Sequence, residues 1–168
     1  MQLENEKFPP KLLSKYGLFK DLEEHTHALE MLSHSFESVT FQNGAKILTE
    51  GSPAAEAYLL LEGRVAVVKK TPEGDLYTVT VLESKAFPFF GESSLLANEN
   101  RSATIIAQIE CKCLMLSKKK FEAFSLEHPK WALPILRRIA ISLHERLRKT
   151  NEDVSLLYHA LVSEIRGK

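Results

Sequence analysis

The sequence predicts an α+β fold in which a β-rich middle lies between helical ends. Three observations predict it. Residues 1 to about 37 carry apolar side chains at helix-like spacings. Residues 38 to 117 alternate short β-rich runs with glycine-containing turns. Residues 118 to 168 return to helical periodicity, with one apolar stripe that lasts more than four heptads.

Phe8 and the Pro9-Pro10 pair open the first zone. Leu12, Leu13, Tyr16, Leu18 and Phe19 follow, then Leu22, Leu29, Leu32 and Phe36. The middle zone has β-rich runs at 38–41, 45–48, 57–61, 64–69, 77–82, 102–109 and 113–116. Between them stand Asn43-Gly44, Gly51-Ser52-Pro53, Glu62-Gly63 and Pro72-Glu73-Gly74-Asp75. The last is a hairpin turn, because Gly accepts the positive φ needed there. Many short strands with glycine punctuation suggest a sandwich or a jelly-roll barrel.

A short helix over 118–127 stops near Pro129. A long one over roughly 131–165 tolerates Pro134 only in its first turn. With Leu133 at heptad position a, the a positions continue with Ala140, Leu147, Val154 and Leu161. The d positions are Leu136, Leu143, Thr150, Leu157 and Glu164. Such a helix can pack on its own β-domain for about half its length. The remainder is expected to pair with a second copy, giving a homodimer.

Composition excludes several classes. Lys plus Arg equals Asp plus Glu at 22 each, so no overall basic surplus supports nucleic-acid binding. There is no signal peptide and no membrane-length apolar run, which points to the cytoplasm and away from membranes. Cys111 and Cys113 are read as facing opposite sides of one strand, so a disulfide between them is not expected. Six histidines show no ligand pattern. His25 and His27 read as helix-surface residues, and no metal site is expected.

The chemistry concentrates in Phe90-Gly91-Glu92-Ser93-Ser94-Leu95-Leu96 and Arg101-Ser102-Ala103-Thr104. Gly91 permits close backbone approach to a ligand. Glu92 can accept hydrogen bonds from hydroxyls. Ser93 to Leu96 can form a short turn whose N–H groups face an anion. Arg101 offers a planar donor fork for a phosphate. Together they suit a sugar phosphate. On spacing alone, a chance Gly-Glu and a surface Glu92–Arg101 ion pair are the better explanation of the pattern.

The segment resembles the phosphate-binding cassette of the cyclic nucleotide-binding domain family: Phe-Gly-Glu, two small or apolar residues, two aliphatics, a short loop, then Arg, a small residue and Ala-Thr. The ten positions from Gly91 to Arg101 match the spacing of protein kinase regulatory subunits. Further resemblance lies in Tyr16-Gly17-Leu18-Phe19, in Asn43-Gly44-Ala45-Lys46-Ile47 with Glu50-Gly51, and in the stretch from Tyr58 to Val67. It covers about residues 16 to 165. The resemblance implies an eight-stranded jelly-roll-like barrel, with N-terminal helices over 1–37, the barrel over 38–117 and C-terminal helices over 118–168 of one domain. It implies ligand-binding roles for Phe90, Gly91, Glu92, Ser93, Ser94, Arg101 and Ser102. Glu92 would take the ribose 2′-hydroxyl and Arg101 the cyclic phosphate. The C-terminal helix resembles that of the bacterial catabolite activator proteins, which implies that Thr150 and Asn151 read the base.

The function so implied is a non-catalytic sensor of a cyclic nucleotide, cyclic AMP ahead of cyclic GMP, that signals to an unidentified effector through its C-terminal helix. The alternatives are a piece of a larger cyclic-nucleotide-regulated transcription factor, channel or enzyme, and a dimerisation scaffold that binds nothing. A cupin-type metalloenzyme would need histidines on the strands, and residues 38–116 contain none. Two departures from the family pattern stand out. Residues 83–89, Glu-Ser-Lys-Ala-Phe-Pro-Phe, lack the usual turn glycine, and the chain ends at Lys168 without a helix-turn-helix.

Overall fold

The computed structural model describes residues 2–4 and 8–167. Positions 1, 5–7 and 168 of the expected helical ends lie outside the described residues. Nine strands are described: β1 (Gln2–Glu4), β2 (Phe36–Phe41), β3 (Lys46–Leu48), β4 (Glu56–Glu62), β5 (Arg64–Lys70), β6 (Leu76–Glu83), β7 (Phe89–Phe90), β8 (Thr104–Ala107) and β9 (Cys111–Ser117). The helices are α1 (Thr26–Ser33), α2 (Lys118–Glu127) and α3 (Pro129–Ile165), with 3-10 turns before and between them. One sheet runs β1-β2-β9-β4-β7 and the other β3-β8-β5-β6. All pairings are antiparallel.

Three layers result. Tyr58 and Leu60 of β4, with Cys111 and Cys113 of β9, face the second sheet. Ala57 and Leu59 of β4, with Leu114 and Leu116 of β9, face the helices. Strand β4 is therefore covered on both faces, which is why its apolar run shows no alternation. The two sheets oppose each other as in a jelly roll. Among the described residues no ladder joins their edges into a closed barrel.

Several expectations need correction. Cys111 and Cys113 share a face, because residues two apart in a strand point the same way. Both thiols are free and buried between the sheets. The N-terminal zone is not purely helical. Its helical part is two 3-10 turns, Pro10–Lys15 and Gly17–Leu22, followed by α1. Strand β1 pairs with β2, which starts at Phe36 rather than residue 38. Helix α3 begins at Pro129, so Pro134 sits in its second turn. The proline there withholds one N–H from the carbonyl of Lys130, a residue exposed to water that can satisfy it.

The segment without the family glycine folds as a 3-10 turn, Ser84–Ala86, followed by Phe87 in the left-handed region at φ 48° and ψ 53°. A bulky residue pays for that conformation. Packing offsets the cost: the Phe87 ring meets Tyr16 edge-on at 5.5 Å, and Lys15 Nζ lies 5.6 Å from its centroid.

Candidate functional site

The site is built around the bend between β7 and β8. Phe90 ends β7 in the core, where its ring stacks on Tyr58 at 5.7 Å and 18°. It anchors the bend and does not line an open site. Gly91 follows at φ 77°, and Glu92–Leu95 forms a 3-10 turn. Leu95 is buried against the helical layer and fixes the far end of the turn. Ser94 is fully buried. Its hydroxyl lies 2.7 Å from the Gly91 carbonyl and 2.9 Å from the Glu56 carbonyl, so it ties the turn to β4. Its N–H donates to the Gly91 carbonyl at 3.2 Å. Both polar groups of Ser94 are therefore engaged within the protein.

Arg101 is fixed from its backbone outward. Its N–H donates to the Ser52 carbonyl at 2.8 Å, and its carbonyl accepts from Gly51 N–H at 2.9 Å. A bridge between Pro53 and Asn100 extends the clamp. The loop before β8 is thus pinned to the loop between β3 and β4, which aims the guanidinium under the turn. The Arg101 side chain is 5% exposed. Its Nη2 donates to Glu56 Oε2 at 3.1 Å, while Nη1 is buried with no hydrogen-bond partner. Burial lowers its pKa from the ordinary value, and the Glu56 carboxylate and Tyr58 oppose that.

Gly91 makes this arrangement possible. A Cβ there would stand 3.0 Å from Arg101 Nη1 and 3.0 Å from the Glu56 carbonyl oxygen. Sequence reasoning expects the backbone at Gly91 to approach a ligand; the group lying close to it in the structure is the protein's own guanidinium.

Glu92 is also buried, with its side chain 5% exposed, and it forms an ion pair with Arg146 of α3. Its Oε1 makes no hydrogen bond. The Glu92–Arg101 surface ion pair, the alternative explanation of the spacing, does not form. Two separate pairs stand in its place, Arg101 with Glu56 and Glu92 with Arg146. Ser93 lies in the turn beside Glu92, and Ser102 is exposed next to Arg101. Thr150 and Asn151 are exposed on α3, with Thr150 one turn beyond Arg146. Among the described residues no hydrogen bond or ion pair joins either to the rest of the site.

Sequence reasoning missed Glu56 and Arg146. Glu56 precedes an apolar strand and reads as a solvated strand end. Arg146 is one of several cations on the polar side of α3. Nothing in the pattern marks either.

Residues 38–128 match the model of the cyclic nucleotide-binding domain, a span that includes the turn, Arg101 and Glu56. The chain belongs to the cyclic nucleotide-binding domain family. It is 29% identical over 120 residues to a cAMP-dependent protein kinase regulatory subunit of Dictyostelium discoideum, covering 71% of this chain and 36% of that one. A glutaminase 1 of Bradyrhizobium diazoefficiens is 36% identical over 118 residues, 70% of this chain and 18% of that one. The chain thus spans about a third or less of the length of these relatives. Among solved structures, the N-terminal domain of a Streptomyces coelicolor transcriptional regulator superposes with TM-score 0.70 at 29% identity, covering 85% of this chain and 94% of that one. The Thermus thermophilus catabolite activator protein gives TM-score 0.74 at 25% identity, over 84% and 62% of the two chains. No described helix is long and apolar enough to cross a membrane. Among the described residues no group of three or more His, Cys, Asp or Glu is placed to hold a metal ion.

Proposed function

We propose that this chain is a regulatory sensor of a 3′,5′-cyclic nucleotide, with cyclic AMP preferred, acting in the cytoplasm and performing no catalysis. One observation carries the reading. A buried guanidinium keeps one nitrogen without a partner, beneath a turn that also buries a carboxylate. An unpaired buried donor is costly, and an anion at Nη1 removes that cost. Arg101 then holds a phosphate on Nη1 while Glu56 keeps Nη2. Glu92 supplies the acceptor for a sugar hydroxyl. Gly91 lets the guanidinium lie directly beneath the turn, and Ser93 and Ser102, neighbours of Glu92 and Arg101 in the chain, border the anion's position in this reading. Similarity to a cAMP-dependent kinase subunit supports cyclic AMP as the ligand.

The output runs through α3. Its apolar seam is exposed at Leu147, Val154, Leu157 and Leu161, which supports a homodimer through the C-terminal half of the helix. In that dimer Thr150 and Asn151 would face the base. The curated relatives hold the matched region within much longer chains, so the sensor can equally serve as a module of a larger regulated protein. Isothermal titration with cyclic AMP and cyclic GMP tests the reading. Cyclic AMP is expected to bind at micromolar or better affinity, and heat from neither nucleotide would reject the sensor function.

A further inference from the structure

The 3-10 turn Gly17–Leu22, the segment from Phe87 to Glu92 and helix α3 meet without filling the space between them. A cleft of about 300 Å³ remains, walled by Leu18, Phe87, Phe89, Ile139 and Ile141. Gly17 also lies on its wall. A Cβ there would meet no atom within 4 Å, and the backbone is outside the left-handed region. The conformation does not require glycine, so the missing side chain leaves space that any other residue would occupy. Phe87 forms a fixed part of the wall, since its ring is held against Tyr16 and Lys15. A concave space of this size, with apolar walls and a few polar groups, is on the scale of a small-molecule site.

One face of α3 supplies most of the polar groups. Arg138, Ser142 and Glu145 follow at steps of four and three residues and border the cleft in a row. Arg138 is committed to Asp21 through paired contacts. Glu92 is buried on the wall and paired with Arg146. Glu145 is exposed and, among the described residues, has no ion-pair partner. The Ser142 hydroxyl likewise makes no hydrogen bond among them. The uncommitted charge at the cleft is therefore negative, beside an apolar surface. Of the residues assigned to the nucleotide only Glu92 borders this space; Arg101, Gly91 and their neighbour Glu56 do not.

We propose that the cleft is a second ligand site, for a small molecule with an apolar body and one cationic group, an arylalkyl or alkyl amine. The body lies among Phe87, Phe89 and Ile139. The ammonium pairs with Glu145 and donates to the Ser142 hydroxyl. An anion would meet the Glu145 carboxylate, and a neutral molecule would gain the apolar contact alone. The site needs no nucleotide and stands whether or not one binds at Arg101.

The probe is 2-phenylethylamine on the full chain, with 2-phenylethanol as its neutral match, read by NMR at the labelled methyl groups of Ile139 and Ile141. The amine should shift both signals with a dissociation constant of about 1 mM or below. The alcohol should bind about threefold to fivefold more weakly, the modest ratio of a water-exposed ion pair. E145Q, a change at an exposed position, should bind the two alike. G17L places a side chain in the open space without backbone strain and should abolish both shifts, with circular dichroism checking its fold. No shift at either methyl group in about 10 mM amine overturns the site. Undiminished binding by folded G17L overturns it as well. Equal binding of amine and alcohol to wild type, or an amine preference that persists in E145Q, overturns the ligand class and does not depend on G17L.

Discussion

Arg101 and Glu56 share one contact, Nη2 to Oε2 at 3.1 Å, and it leaves Nη1 of a buried guanidinium unpaired. Glu56 is the first residue of β4, so a strand residue holds one arm of a donor fork that the pinned loop before β8 aims. An arginine bound through both nitrogens would have to surrender a carboxylate before taking an anion. This one does not, since Nη1 carries no internal partner.

Arg101→Ala should therefore weaken cyclic AMP binding about 100-fold or more, since removing the partner of a buried charge costs on the order of 3 kcal/mol. Arg101→Lys should recover only part, having a point charge without the fork. Calorimetric titration measures both. Unchanged binding in the alanine variant would take Arg101 out of the site.

Gly91→Ala tests the space beneath the turn. The residue sits at φ 77°, and an added Cβ would stand 3.0 Å from both Arg101 Nη1 and the Glu56 carbonyl. The left-handed backbone costs about 1 kcal/mol with a side chain present, and the guanidinium must move as well. The melting temperature should fall by several degrees and affinity by at least tenfold. Full affinity in this variant would mean that Nη1 need not lie where the structure puts it.

Much of the fold was legible because turn chemistry and apolar runs mark it locally. Gly44, Gly51, Gly63 and Gly74 each take positive φ between strands, and the apolar runs of β4, β5 and β9 stand where expected. Strands β1 and β7 escaped because three and two residues cannot display a period. Phe87 escaped because nothing local predicts a phenylalanine in the left-handed region, and only its packing on Tyr16 explains it. At the site, the motif located the bend and both of its charged residues but not their partners. Glu56 and Arg146 lie 45 and 54 positions from Arg101 and Glu92 respectively. Such pairings are set by tertiary packing, which spacing does not encode.

Alkaline pH should unfold the protein through its buried phenols. Tyr58 is buried against Phe41 and Phe90, and burial lifts its pKa from 10.0 to about 12. Tyr16 is pushed up further by burial, while its hydroxyl donates to the Leu60 carbonyl at 2.8 Å. A folded pKa above the unfolded value means that the folded state keeps a proton the unfolded state has lost. Stability from Tyr58 is then complete below pH 10 and declines between pH 10 and 12, by about 2 kcal/mol. Denaturant midpoints should drop over that window. Absorbance at 295 nm should show two of the four tyrosines ionising only as the chain unfolds. Flat midpoints up to pH 12 would contradict it.

Leu157→Lys addresses the seam. Leu157 is 70% exposed on α3, so the substitution leaves the packed layers intact. In a dimer it would bury two ammonium groups, weakening association roughly 100-fold. Sedimentation should show wild-type dimer and variant monomer at tens of micromolar, with equal melting of the β-domain in dilute solution. A wild-type monomer with and without cyclic AMP would remove the dimer.

Base preference depends on the same helix. Ser102, exposed beside Arg101, can bond the 2-amino group of a syn guanine, so the turn alone does not exclude cyclic GMP. In the proposed reading Thr150 and Asn151 make the distinction, since a hydroxyl and an amide together offer the donor and acceptor that match the adenine 6-amino group and its neighbouring ring nitrogen. Both residues are exposed in the single chain and contribute only once α3 is brought against a base, by its own movement or by a second copy. Cyclic AMP should therefore be preferred by about tenfold, or 1.4 kcal/mol, the scale of one net hydrogen bond. Thr150→Val combined with Asn151→Leu should erase most of that ratio while leaving cyclic GMP affinity within about threefold. In the monomeric Leu157→Lys background the preference should also shrink, if the second copy presents the helix. Competition against a fluorescent cyclic AMP analogue measures each ratio. A preference that survives both changes would place base reading in the β-domain, near Ser102, instead of on α3.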